Sequence, residues 1–334
     1  MVVVIVGVAA WGVWELSLKP ASIEKASIQN MAFPLPDKPS IAVMPFVNLS
    51  EDKSQEFFSD GLTDDLITDL SKLSGLFVIA RNSTFSYKGK PVRIQQVAEE
   101  IEVRYVLEGS VRCEGDQMRI NVQLMDSATG RHLWAERYDG SMRDIFSLQD
   151  KINQQIVAAL AVKLTAGEKA LVSRKGTNDP AAYEEVMKGR EHHRKFTEQD
   201  FLKAEACFKR ALELDPNYSE AKAALAYTHF FAARFRMEPA FKLSWDEARL
   251  RARQFLVEAM KEPTSTAYQV AASMDLLLRQ YDEAISSVQK ALTLDPNDPS
   301  IHSSMSLVLS MCGRPAEGME MVRSGHRSSQ KMGQ

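Results

Sequence analysis

The chain has 334 residues, 45% apolar and 25% charged, an ordinary globular composition with enough length for about two domains with cores of their own, so disorder is not the default reading. Its 41 Lys and Arg against 44 Asp and Glu leave a net charge of −3, which gives no general basic footprint for nucleic acid. Cys113, Cys207 and Cys312 are too few and too scattered for a disulfide framework or a zinc site, and each reads as a small buried apolar residue.

Residues 2–14 (VVVIVGVAAWGVW) carry no charge. As a helix they would span about 20 Å against about 30 Å of hydrocarbon, with Trp11 and Trp14 suited to a membrane interface. Three readings stay open. One is a signal peptide, weakened because no Lys or Arg precedes the run. Another is a buried element of a soluble domain. The third is the end of a transmembrane helix that starts upstream of Met1. We therefore expect a partial transmembrane or signal-like segment over residues 1–16 and a polar linker over 17–37 with Pro20, Pro34 and Pro36. Lys19 and Lys25 follow the run, so positive-inside logic alone would place the C-terminal side in the cytoplasm.

The first domain is expected over residues 38–164. Residues 41–47 (IAVMPFV) and 76–80 (LFVIA) read as buried strands. Between them Phe58, Leu62, Leu66, Leu70 and Leu73 recur every three or four residues, the period of an amphipathic helix. Ile94, Val97, Ala98 and Ile101 mark a second, shorter helix. The period then changes to two, and residues 105–111, 118–126 and 132–138 read as three antiparallel strands with turns at 114–116 and 128–130. A long helix follows over 145–164. The order predicts an α/β domain with a mixed sheet.

The segments KPSIAVMPFVNLSEDKSQEFFSDGLTDDLITDLSKLSGLFVIARNSTF and YVLEGSVRCEGDQMRINVQLMDSATGRHLWAERYDG resemble the TolB amino-terminal-like domain. That domain accompanies many bacterial class III adenylate/guanylate cyclases and some membrane-anchored winged-helix regulators, and is not itself known as a catalyst.

The second domain is expected over residues 178–334. Ala204, Phe208, Ala211 and Pro216 are repeated with the same spacing as Ala284, Val288, Ala291 and Pro296, each displaced by 80 positions, and KRALELDPNYSEA matches QKALTLDPNDPSI. Two repeats of about 34 residues leave room for an insertion of about 12, placed at 236–245. A middle unit shows as Ala252, Leu256 and Ala259. This pattern resembles the tetratricopeptide repeat family and implies an all-α solenoid, in which small Ala residues let paired helices approach and Pro ends each unit. Gly318 and Gly325 stand where the family has Ala, so the fourth unit is expected to be degraded.

No residue pattern points to catalysis or to a cofactor, and none supplies a metal site. His192 and His193 are adjacent, about 100° apart on a helix, and read as a solvated face. Asp60, Asp64, Asp65 and Asp69 could hold magnesium if they faced a cleft, but read first as helix-start charges in solvent. The segment Lys88-Gly89-Lys90-Pro91 is a basic loop and no P-loop. Cys207 reads as packing. The candidate site is instead a binding surface: Glu220, Tyr227, Phe230, Phe231 and Arg234 on the helix starting near Ser219, aromatics and an Arg suited to a peptide groove, with core packing of the Phe residues as the competing reading.

The expected partners are thus a protein or peptide at the repeats and a membrane at the N-terminus. Nucleic acid is not expected, since residues 38–164 hold 15 basic against 18 acidic side chains. The resemblances imply a non-catalytic sensory module, inner-membrane anchored and facing the periplasm. Two alternatives remain: the C-terminal regulatory part of a class III cyclase, or the sensory half of a membrane-bound winged-helix regulator.

Overall fold

The computed structural model describes residues 26, 31, 35–173, 176–237 and 239–326; the N-terminal apolar run lies outside the described residues. Among the described residues no helix is long and apolar enough to cross a membrane.

The first half is a mixed sheet sandwiched by helices. The run over 41–47 splits into β1 (Ser40–Val43) and β2 (Val47–Asn48), because Pro45 lacks the N–H that a ladder needs. With β3 (Phe77–Val78), β4 (Tyr105–Glu114), β5 (Gln117–Asp126) and β6 (Arg131–Ser141), the order is β3-β1-β4-β5-β6, and β2 also pairs with β4. β1 is parallel to β3 and β4, whereas β4, β5 and β6 form an antiparallel meander. The predicted turns hold: Gly115 and Gly130 adopt φ of 60° and 69°, a left-handed conformation that glycine enters without strain.

Helices α1 (Glu56–Ser71) and α4 (Ile145–Ala159) cover one face of the sheet. Phe58, Leu62, Leu66 and Leu70 of α1 meet Leu148, Ile152 and Ile156 of α4 over Leu107, Ile120 and Leu124. The short helices α2 (Arg81–Phe85) and α3 (Ile94–Glu100) cover the other face, where Val97 and Ala98 pack on Ala42, Ile79 and Val106. The long helix expected to reach 164 ends sooner, as the chain turns left-handed at Ala161 with φ 51°. A separate linker helix follows, α5 (Ala166–Ser173). Glu168 caps it by accepting from the Thr165 backbone N–H at 2.8 Å, and it also accepts from the Ser74 N–H at 2.8 Å and Ser74 hydroxyl at 2.7 Å. These bonds pin the linker to the loop after α1.

The second half is a stack of helix pairs. They are α6 (Pro180–Lys195) with α7 (Glu198–Leu214), α8 (Ser219–Arg234) with α9 (Trp245–Ala259), α10 (Ser265–Leu277) with α11 (Tyr281–Leu294), and α12 (Pro299–Met311) with α13 (Pro315–His326). The repeated residues do what their sizes suggest: Ala204, Phe208, Ala211, Ala284, Val288 and Ala291 are fully buried between helices. The expected insertion joins α8 to α9 inside the second pair. Gly318 departs from Ala for a steric reason. A Cβ there would lie 2.8 Å from the Ser306 carbonyl oxygen, so α12 and α13 approach more closely than Ala permits.

Ala211 has no exposed surface and no nearby counter-charge is available in its apolar cluster. Ala211→Glu therefore buries an unpaired carboxylate and should cost about 3 kcal/mol or more, unfolding the first pair. Helical circular dichroism and a melting curve both unchanged from the parent chain would contradict that packing.

Candidate functional site

The two halves meet where α1 crosses α6. The contact is close because Gly61 has no side chain: a Cβ there would collide with the Met187 thioether. Around it runs a line of ion pairs. The Asp60 carboxylate accepts from Lys88 Nζ at 2.6 Å, and Lys88 also reaches Glu56 at 2.7 Å. Asp64 pairs with Arg81 at 3.1 Å and with Arg194 of α6. Asp65 accepts from Arg190 Nη1 at 2.8 Å and from the Tyr183 hydroxyl, which itself receives a bond from Gln149 Nε2 at 2.6 Å. Asp69 pairs with Lys72 at 2.7 Å and accepts from Asn153 Nδ2 at 2.9 Å.

Asp64 and Asp65 of the acidic stripe therefore join the halves, Asp60 and Asp69 pair within the α/β half, and the stripe is not a solvated helix start. Burial pushes the Asp65 carboxyl up from its ordinary value, against the pull of the Arg190 guanidinium. The reading of the His pair as solvated is likewise corrected. His192 bonds Asp200 at 2.9 Å, but His193 is buried among Phe201, Phe208 and Tyr227 and bonds Thr228 Oγ1 at 2.7 Å. Burial lowers its imidazole pKa to about 3, so His193 is neutral. Lys88 is tied into the acidic stripe. Cys207 is half-buried with its thiol pushed up to about 11, which suits packing and not nucleophilic chemistry. Among the described residues no three His, Cys, Asp or Glu side chains gather in a way that could hold a metal.

A second contact lies at the other end of α1. The last carbonyls of a helix lack intrahelical donors. Here Asn297, at the start of the fourth pair, supplies them: its Nδ2 donates to the Ser71 and Leu73 carbonyls at 2.9 Å each, and its oxygen accepts from Lys38 at 3.4 Å. Beside it the Asp295 carboxyl is buried, with Oδ1 lacking a hydrogen-bond partner among the described residues. Burial, reinforced by the neighbouring Asp298, pushes its pKa up to about 7. Between the two contacts α1 bridges a cavity of 330 Å³ walled by Asp65, Arg190, Glu220, Thr266 and Asp298.

The first helices of successive pairs adjoin on this side of the stack. Glu220 of α8 accepts from Arg190 at 3.3 Å and from Thr266 of α10 at 3.1 Å, while Ser300 of α12 donates to Gln269 of α10 at 3.2 Å. Glu220 is thus part of the joint with α1. Farther along α8, Tyr227 stacks on Phe231 at 4.1 Å between centroids, and Phe231 on Phe235 at 5.5 Å. Phe196 meets Phe231 and Phe235 edge-on at 6.3 and 5.2 Å. Phe196 and Phe235 are 44% and 48% exposed, so this ladder opens to solvent. Arg234 is exposed beside it, 6.0 Å from the Phe235 ring. Phe230 points the other way into the core: it is buried against Ala252 and Leu256 of α9 and meets Phe231 edge-on at 5.5 Å.

Sequence reasoning placed the aromatic helix but missed Phe196, Phe235 and the whole joint. A signal was available. Asp64 and Asp65, adjacent on α1, face Arg194 and Arg190, four apart on one side of α6.

Comparison with known proteins fits this division. Residues 196–218 and 265–298 match the tetratricopeptide repeat model. The helical half is built of tetratricopeptide repeats. Residues 37–157 match the model of the HilA/YgeH-like transcriptional regulator, second domain. A relative from Rhizobium meliloti (strain 1021), bearing the name "Putative adenylate cyclase 3", is 49% identical over 215 residues, which is 64% of this chain and 37% of the relative. The chain thus spans little more than a third of that relative's length. Solved structures of TolB from Acinetobacter baumannii and lipoprotein GNA1162 from Neisseria meningitidis are 22% and 20% identical, with TM-scores of 0.28 and 0.29. They cover 39% and 36% of this chain and 30% and 99% of theirs. MamA AMB-1 is 15% identical over 57% of this chain and 92% of its own, with a TM-score of 0.29.

Two expected outcomes concern the joint. Asp65→Ala leaves Arg190 and Tyr183 without their buried partner and should destabilise the chain by about 3 kcal/mol, read from urea unfolding. A change within about 0.5 kcal/mol would show that the pairing does not hold the halves together. For Asp295, a folded-state pKa raised above the unfolded value means that the folded chain binds the extra proton. Its contribution is intact below about pH 4 and is lost as pH rises toward 7. Asp295→Asn should therefore raise the melting temperature more at pH 8 than at pH 5; an equal shift at both would remove Asp295 as the cause.

Proposed function

We propose that this chain is a non-catalytic protein-interaction and sensory module of a bacterial signalling system, held to the membrane by its N-terminal segment. Tetratricopeptide repeats are interaction scaffolds. The observation that most supports a site here is the uncovered aromatic ladder Tyr227–Phe231–Phe235 with Arg234 at its edge. Partly exposed rings give a peptide apolar area at little entropic cost, and an adjacent guanidinium supplies direction toward a carboxylate. Glu220 marks where α1 already covers the same side, and Phe230 supports the ladder from the core. The uncharged run at residues 2–14 supports inner-membrane anchorage, with the folded part in the periplasm as the sequence resemblance implies.

A second reading is favoured by the Rhizobium relative: the chain is the C-terminal regulatory part of a class III adenylate cyclase, whose catalytic domain is not among these two halves. The HilA/YgeH-like match favours a third, the sensory half of a winged-helix regulator. In each the chain acts by recognition. Incubated with MgATP, the purified chain should form no cyclic AMP; turnover would overturn the non-catalytic reading. It should also leave DNA unshifted in a gel at low salt.

The groove is tested by selecting peptides that the chain captures from a displayed library. Tyr227→Ala combined with Arg234→Ala should weaken capture at least about tenfold with far-ultraviolet circular dichroism unchanged. Undiminished capture would move the site away from α8.

A further inference from the structure

The cavity that α1 bridges between the halves carries more negative charge than its ion pairs balance. Six carboxyls line it against two cations, Lys72 and Arg190. Lys72 is taken by Asp69 at 2.7 Å. Asp64 is matched by Arg81 and Arg194, and Arg194 is shared with Glu191. Arg190 serves Asp65 and Glu220 together, which leaves one charge over. Asp295 and Asp298 have no ion-pair partner among the described residues. Asp295 Oδ1 is sealed from the cavity and offers no contact. Asp298 is half-buried and uses only Oδ1, which accepts from the Ser300 backbone N–H at 2.7 Å. Glu220 likewise uses only Oε1, and its second oxygen has no hydrogen-bond partner among the described residues. The start of α10 at Ser265 adds about half a positive charge, too little to reverse the sign.

A second observation does not involve the acids. Tyr218 is 4% exposed, and its ring packs on Gly176, where a Cβ would come within 2.7 Å of it. The Tyr218 hydroxyl has no hydrogen-bond partner among the described residues, and the charges that act on it include Arg190, Asp65 and Glu220 of the cavity wall. Unlike Asp295 Oδ1, it is open to the cavity. A buried phenol normally finds a partner, so this one is poised for a ligand. Phe146, Tyr183 and Tyr218 give the wall aromatic surface, which attracts cations. The volume of 330 Å³ lies at the small end of ligand sites.

We infer that this cavity binds a small primary ammonium with a compact apolar body. Its N–H donors are accepted by Glu220, Asp298 and the Tyr218 hydroxyl, and the rings cover its body. The inference goes beyond the aromatic groove on α8 and does not depend on it. An occupant touches α1 of the α/β half and the starts of α8, α10 and α12 together, and so couples a chemical signal to the joint.

The test is calorimetric titration of the whole chain with 2-phenylethylamine. We expect one saturable site with a Kd of about 1 mM or tighter. 2-Phenylethanol, similar in shape but uncharged, and 3-phenylpropionate, of opposite charge, should each bind at least about tenfold more weakly. Asp298→Asn keeps an acceptor for Ser300 and removes the charge, and should lower affinity about tenfold. Tyr218→Phe keeps the ring and removes the hydroxyl, and should lower it about fivefold. Ser265→Trp fills the cavity from α10 and should abolish binding; it leaves the carboxylates in place, so it decides the matter if Asp298→Asn fails to fold. Circular dichroism establishes which variants fold. The inference is overturned by an amine that binds no better than the alcohol, or by full affinity in any folded variant of the three. It is equally overturned if Tyr227→Ala abolishes binding, which would put the amine on the aromatic ladder.

Discussion

A guanidinium held between two carboxylates organises this molecule. Arg190, on the first repeat helix, reaches Asp65 of the α/β half at 2.8 Å and Glu220 of the next repeat at 3.3 Å. One side chain therefore ties the sheet domain to the solenoid and the first repeat to the second. Such a buried network is unfavourable unless every member is satisfied, and here Tyr183 and Gln149 complete it. The consequence is geometric. α1 is laid along the side of the repeats that would otherwise be open, and among the described residues the aromatic stretch of α8 beyond Glu220 is left uncovered by it.

That arrangement sorts the surface by function. Where Asp64 and Asp65 of α1 meet α6, charge is paired and largely buried. Where α1 does not lie, aromatic rings stack in the open with an arginine beside them. The insertion between α8 and α9 follows this ladder directly, so the second repeat is the one in which the solenoid departs most from a regular unit and the one that carries the candidate site.

Much of the fold could be read from the sequence because its causes are local or periodic. The apolar spacing from Phe58 to Leu70 and the 80-residue displacement of Ala204, Phe208 and Ala211 both describe residues packing inside their own element or its immediate partner. The joint could not be read in that way. Asp64 and Asp65 look like helix-start charges until α6 supplies Arg190 and Arg194, more than a hundred positions away. His193 looked polar because its neighbour is, yet three aromatic rings enclose it. In the candidate site, the stacking of Tyr227 on Phe231 follows from helical spacing, whereas the contribution of Phe196 depends on a left-handed residue with φ 52° that brings the end of α6 over α8.

The Asn297 clasp bears on the order in which the molecule is made. Its hydrogen bonds to Ser71 and Leu73 close loops of 226 and 224 residues. During synthesis the sheet domain emerges first and can complete its core while the donors that satisfy the end of α1 have yet to be translated. Until the fourth repeat leaves the ribosome, those carbonyls have only water to bond, and the long-range closure comes late. The fourth repeat thus takes part in finishing a helix that was translated long before it.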